Sequence, residues 1–229
     1  MQNIKVIASV HNEIGPCNPD SLYNILMSIR PEVIFEEQTD DEYYRKLYQP
    51  DNNSSIIEIK AIKKYKENFD VVCVPVDLEP ELYLTMQKKD YYHDYFKKYD
   101  IIRKVNAEIH ENIKKEGFNF LNSDKLLKLD LELKKRQDEL VQFGSPFSLN
   151  PMKDLHESFL KENEERESAM IENIYSFSKT SSYEKAVFIP GFSHLEPLIK
   201  KIMSYETEDD FKINWSFYGD SIHIKNNKD

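Results

Sequence analysis

The sequence predicts an α/β fold: a three-layer α/β/α core on a mainly parallel sheet, with a large helical insertion after the third strand and a C-terminal hairpin. Three observations carry this expectation. Short, near-continuous apolar runs recur at 4–10, 33–35, 69–76 and 186–189, as expected of strands buried on both faces. Helix signals separate the first three runs. From about 81 to 177 the β-branched runs vanish and long charged helical patterns replace them, so this stretch reads as a helical cap inserted within a single domain spanning 1–229.

The elements follow in order. After the first strand, Asn18 offers a side-chain N-cap with Pro19 at the first helical position, where a missing N–H costs nothing. Leu22, Ile25, Leu26 and Ile29 then form an apolar stripe, and Pro31 ends the helix. The second strand closes on Glu36 and Glu37, leaving open which of the two faces the strand-end rim. A helix is expected over 56–66, and the third strand ends at Asp77. Within the insertion, 91–96 and 125–141 have helical patterning, Gly144-Ser145-Pro146 interrupts it, and an amphipathic helix follows over 152–177. Strand character returns at 186–189, a helix covers 195–203, and the chain closes with 213–218 and 221–224 joined across Gly219-Asp220 like a hairpin.

Composition narrows the function classes. The chain carries 31 Lys and Arg against 41 Asp and Glu, a net charge of -10 spread along its length. Nucleic acid and anionic membrane both require positive surface, so neither is an expected partner. Cys17 and Cys73 are too few and too plainly spaced for a disulfide framework or a zinc knuckle, which fits a reducing cytoplasm. No basic leader precedes an apolar stretch, and no apolar run approaches bilayer length. A peptide or small-molecule substrate is the expected partner, and the oligomeric state is not specified by these residues.

The chemistry-bearing residues stand where strands end. The last polar side chains after the four core strands are His11, Glu37, Asp77 and His194, and parallel strands deliver such residues to one rim, where open α/β sheets bind ligands. Two imidazoles with carboxylates are a ligand set for a divalent transition metal, which lowers the pKa of bound water. The same residues also suit metal-free acid–base work, with a carboxylate orienting a histidine. Of only five glycines, Gly15 and Gly191 flank these histidines, as close backbone approach at a strand-to-helix turn requires. After Gly191, the first amides near Ser193 and His194 are placed to receive an anion or a developing oxyanion. Arg166 falls on the apolar stripe of its helix, seven after Phe159 and four before Met170. A guanidinium there needs a partner, either a rim carboxylate or a substrate anion.

Other features point to packing. The tyrosines of 91–99 have helical spacing, and His93, His110, His156 and His223 are expected on the surface or in the core without chemistry. Glu13 and Glu196 each follow a rim histidine by two and suit supporting roles. No phosphate loop, dinucleotide fingerprint or nucleophile motif is present.

At these residues the chain resembles the TraB/PrgY, Tiki, ChaN and erythromycin-esterase-like superfamily, marked by two Gly-x-x-His motifs, a glutamate after the second strand and an arginine in a later helix. Gly191-Phe192-Ser193-His194 matches the second motif, while Ala8-Ser9-Val10-His11 has alanine in place of the first glycine. Pro31 to Glu37 puts Glu37 at the glutamate position, Glu165-Arg166-Glu167 is similar to the arginine segment, and Val76-Asp77 resembles the aspartate after the third strand. The resemblance implies a sheet between helices and a site built from both histidines, the glutamate and the arginine. It spans metal-dependent peptidases, macrolide-lactone esterases, haem-iron binders and proteins of pheromone shutdown, so fold alone does not settle function.

Three readings result. In the first, the protein is a metal-dependent hydrolase of an amide or ester bond: His11, Glu37 and His194 hold Mn, Co or Zn, Asp77 is a further ligand or base, and Arg166, Gly191 and Ser193 contact the substrate. In the second, the same rim binds a peptide, a small molecule or haem without turnover. In the third, it is a metal-free hydrolase using histidine–carboxylate base catalysis.

Overall fold

The computed structural model describes residues 2–49, 51–78, 84–143, 151–208 and 211–219. Five strands, β1 (Asn3–Val6), β2 (Val33–Glu36), β3 (Val72–Pro75), β4 (Lys185–Ile189) and β5 (Asn214–Phe217), form one sheet in the order β3-β2-β4-β1-β5. Every pairing among them is parallel. Nine α-helices are seen among the described residues: α1 (Pro19–Ile29), α2 (Glu42–Leu47), α3 (Ile57–Lys66), α4 (Met86–Phe96), α5 (Asp100–Glu116), α6 (Phe118–Leu121), α7 (Asp124–Phe143), α8 (Pro151–Thr180) and α9 (Leu195–Glu208). Residues 213–218 supply β5, which pairs in parallel with β1; residues 221–224, the other arm of the expected hairpin, lie outside the described residues.

Local chemistry accounts for the element ends. Asn18 Oδ1 accepts the Ser21 N–H at 2.9 Å and opens α1. Arg30 closes that helix in a left-handed conformation (φ 56°), its N–H returning to the Leu26 carbonyl, and Pro31 prevents continuation. The apolar run 4–10 outlasts β1. Beyond Val6 the pairing thins to single bonds, Ile7 N–H to the Phe188 carbonyl and Ser9 N–H to the Pro190 carbonyl, then a lone bridge between Ser9 and Gly191.

Strand alternation divides the apolar residues between two cores. Ile34, Val187 and Ile189 face the layer of α1 and α3, whereas Val33, Phe35, Ala186 and Phe188 face α8 and α9. A sheet covered on both faces therefore has continuous apolar runs. Phe35 and Phe188 are fully buried, each contributing about 1.5–3 kcal/mol of burial free energy.

The helices between β3 and β4 contribute to both helical layers. Val105, Ile109, Ile113 and Phe118 from α5 and α6 join the first core, and Met170, Ile171 and Ile174 of α8 join the second. A separate cluster around Tyr92, Phe96, Ile102 and Met152 holds the outer part of these helices, where Tyr92 stacks on Phe159 and its hydroxyl meets His156 Nδ1 at 2.8 Å. Among the described residues, no helix is long and apolar enough to cross a membrane.

Topology fixes the rim. The connection from β1 travels past β4 to reach β2, and that from β4 travels past β1 to reach β5. Right-handed crossovers running in opposite directions put their helices on opposite faces, as seen for α1 and α9. The connections leaving the adjacent parallel strands β1 and β4 thus run in opposite directions across the sheet, and α/β sheets bind ligands beyond the carboxyl ends of strands at such a point.

Candidate active site

Arg166 is the hub of the rim. Its Nε donates to both oxygens of Asp77 (3.2 and 3.1 Å), and Nη2 donates to Asp77 Oδ2 (2.7 Å) and Glu37 Oε1 (2.6 Å). The three side chains are 15, 4 and 7 % exposed for Arg166, Asp77 and Glu37, so the charges meet largely away from water. Of the two partners the sequence leaves open, a rim carboxylate or a substrate anion, the rim carboxylates engage this guanidinium.

His194 stands beside them, at the end of a single 3-10 turn, Phe192–His194, that leads into α9. Its Nδ1 faces Glu167 Oε1 at 2.9 Å and its Nε2 faces Glu37 Oε1 at 3.3 Å. Burial opposes charging this ring, but Glu37 and Glu167 outweigh both that and the nearby Arg166, raising its pKa to about 9. A carboxylate at each nitrogen favours the imidazolium form of His194. Burial likewise pushes Glu37 up, yet the His194 charge and hydrogen bond, Arg166 and the Gly191 amide together hold it well below the usual carboxylate range.

Alternation resolves the Glu36–Glu37 pair, since the two leave β2 toward opposite faces. Glu37 meets Arg166 of α8; Glu36 accepts the hydroxyls of Tyr44 (2.8 Å) and Tyr48 on the other side. Burial pushes Glu36 up to about 7 despite those two donors.

The glycines differ in what they supply. Gly191 has an ordinary φ of -60°, and its lack of Cβ admits Glu37, whose Oε2 lies 3.1 Å from where a Cβ would stand and accepts the Gly191 N–H. Gly15 has φ +54°, and a Cβ there would lie 2.5 Å from the Lys114 carbonyl oxygen of α5. Of the amides expected to receive an anion, the His194 N–H is engaged by the Gly191 carbonyl, and the Gly191 N–H just before them by Glu37. Ser193 presents its carbonyl to Lys134 Nζ of α7 at 3.0 Å, tying the insertion to the turn that carries His194.

His11 sits apart from this buried network but lines the same crevice as Glu37, together with Glu36, Gln38, Glu58, Ile59, Ile62 and Ile189. Its side chain is 56 % exposed, and Nδ1 lies 3.5 Å from Glu58 Oε1. That hydrogen bond raises the His11 pKa; burial and Arg166 oppose it, and the charges of Glu58 and Glu37 add to it.

Three residues that build the site escape sequence reading. Glu167 adjoins Arg166 on α8 with no pattern to mark it as the His194 partner. Glu58 resembles any acid favoured in a first helical turn. Asn122, fully buried just after α6, accepts the Ala8 N–H (2.8 Å) and donates to the Ala8 carbonyl (3.2 Å), extending the first strand toward His11 with a side-chain amide.

A divalent ion shared by Glu37 and His194 would compete with donors already in place. Both Glu37 oxygens accept hydrogen bonds, and Arg166 Nη1 stands 3.4 Å from His194 Nε2, so a fixed cation occupies the place of an ion shared by Glu37 and His194. The donors as arranged do not fit a metal, and among the described residues no group of three or more His, Cys, Asp or Glu side chains is disposed to hold one. No family model matches the chain, and comparisons with curated proteins and with solved structures give no match.

Proposed function

We propose that this chain hydrolyses an ester or amide bond of a peptide or small molecule by acid–base chemistry, with His11 as the base. The observation that supports this reading is the contrast between the two histidines. His194 has a carboxylate at each ring nitrogen, whereas His11 is half-exposed on the crevice and has a carboxylate at Nδ1. An imidazole oriented this way keeps Nε2 available for a proton from water. Glu37, held ionised by Arg166 and His194, favours the imidazolium that forms at His11. Asp77 and Arg166 act through Glu37, which they hold in place.

The resemblance to the erythromycin-esterase-like superfamily agrees with this reaction class, and two isolated cysteines agree with a cytoplasmic substrate. Turnover of a panel of p-nitrophenyl esters and dipeptides in ¹⁸O-water tests the reading. One ¹⁸O atom enters the carboxylic acid product with wild type, and incorporation is lost with His11→Ala. Equal incorporation with both proteins, or none with wild type, overturns it.

A further inference from the structure

Two stretches of chain, distant in sequence, grip each other beside His11. The first is the arm from Ala8 to Cys17, which leaves β1, carries His11 and ends in a tight turn with Gly15-Pro16 at its tip. Ile14 and Cys17 exchange both backbone hydrogen bonds across that turn at 2.9 Å, and Asn18 Nδ2 donates to the Gly15 carbonyl at 3.2 Å. The second is the corner where α5 passes through Gly117 into α6 and on to Asn122.

The fit between them depends on glycine. Gly117 has φ 60° and ψ -134°, a conformation L residues avoid, and a Cβ there would stand 2.8 Å from Pro16 Cβ and 3.3 Å from the Cys17 nitrogen. Gly15 returns the contact against the Lys114 carbonyl in the last turn of α5. At the other end of the arm, Asn122 holds both the N–H and the carbonyl of Ala8. Phe118, Phe120 and Leu121 of the corner are buried in the same core as Val10 and Cys17 of the arm. One corner, residues 114–122, therefore secures both ends of the arm, and His11 stands in the span between.

We propose that Gly117 and Asn122 are positioning residues for the base: the α5–α6 corner clamps both ends of the arm and so holds the His11 ring beside Glu58 at the crevice. This rests on the hydrolytic reading above. A short span tied at both ends has little freedom, and a base displaced by about 1 Å loses rate by about 10²-fold. The helices between β3 and β4 thereby place the base, although among the described residues none of theirs lines the crevice.

The test uses the full-length chain carrying ¹³C-histidine. Gly117→Ala imposes both a clash and a disfavoured φ, so milder variants carry the measurement. Pro16→Gly loosens one end of the arm and Asn122→Ala the other, while Tyr92→Phe removes a hydroxyl from the outer cluster, away from the corner. All are assayed at a temperature where their amide spectra show a folded chain. With p-nitrophenyl butyrate as probe, kcat falls about 10-fold or more in Pro16→Gly and in Asn122→Ala with KM little changed, and Tyr92→Phe keeps the wild-type kcat. The His11 ring, which titrates above 6.5 beside Glu58, moves its midpoint back toward 6.5 in the two clamp variants. Clamp variants that titrate and turn over like wild type overturn the proposal, as does an equal loss of kcat in Tyr92→Phe. Wild type that hydrolyses no ester, with a His11 midpoint that still falls in the clamp variants, overturns the hydrolytic reading and leaves the clamp standing.

Discussion

Arg166 and Asp77, 89 positions apart, meet through three hydrogen bonds, from Nε to both carboxylate oxygens and from Nη2 to Oδ2. The pair fastens the middle of α8 to the end of β3, and Nη2 carries the connection on to Glu37 after β2. A planar fork serves two carboxylates at once, which a single ammonium does not. Arg166→Met therefore leaves Asp77 buried without this cation and Glu37 with His194 alone, and lowers stability by roughly 3–5 kcal/mol in urea unfolding. Arg166→Lys restores only part of this.

His194 and Glu37 set opposite limits of a pH window. His194 rises from 6.5 to about 9, so its contribution to stability is complete below 6.5 and is lost as pH climbs toward 9. Glu37 is depressed from 4.5, so its contribution is complete above 4.5 and is lost as pH falls below it. Unfolding free energy from this pair is greatest between these ordinary values and declines on the alkaline side at no more than about 1.4 kcal/mol per pH unit. His194→Gln removes the alkaline decline, as denaturant titrations between pH 6 and 10 will register.

Glu36 gives the opposite behaviour for a carboxyl. Burial raises it from 4.5 to about 7, so its favourable contribution is complete below 4.5 and is lost as pH rises through 7. Glu36→Gln cannot ionise. It is expected to be more stable than wild type at pH 8 by on the order of 1 kcal/mol or more, with the difference closing at pH 5. Thermal unfolding at the two pH values checks this.

Asn122 supports the strand that leads to His11. Asn122→Ala strips the Ala8 N–H and carbonyl of buried partners, at a cost of roughly 1–3 kcal/mol. Asn122→Asp fails to rescue, since a carboxylate accepts the N–H but cannot donate to the carbonyl. Amide exchange at Ala8 accelerates in both variants.

Much of this was legible because it is written in periodicity. The alternation that sends Ile34 and Phe35 to different cores also makes β2 a continuous apolar run, and Asn18-Pro19 marks a helix start by local hydrogen bonding alone. Arg166 stood out because a guanidinium on an apolar stripe must find a partner. Glu58, Glu167 and Asn122 were not legible, because their partners are distant in sequence or leave no periodic trace. The two glycines illustrate the same limit: sequence placed both beside histidines, but only tertiary contacts separate the positive φ of Gly15 from the close Glu37 approach at Gly191.

The central claim is that His11 is the base of a reaction needing no metal. It is tested most directly by the kcat/KM for p-nitrophenyl butyrate of chelator-stripped wild type and His11→Ala, measured side by side. Stripped wild type is expected to keep its full rate while His11→Ala falls by about 10²-fold or more. A rate abolished by stripping and restored by Mn, Co or Zn, or a His11→Ala variant as fast as wild type, would contradict it.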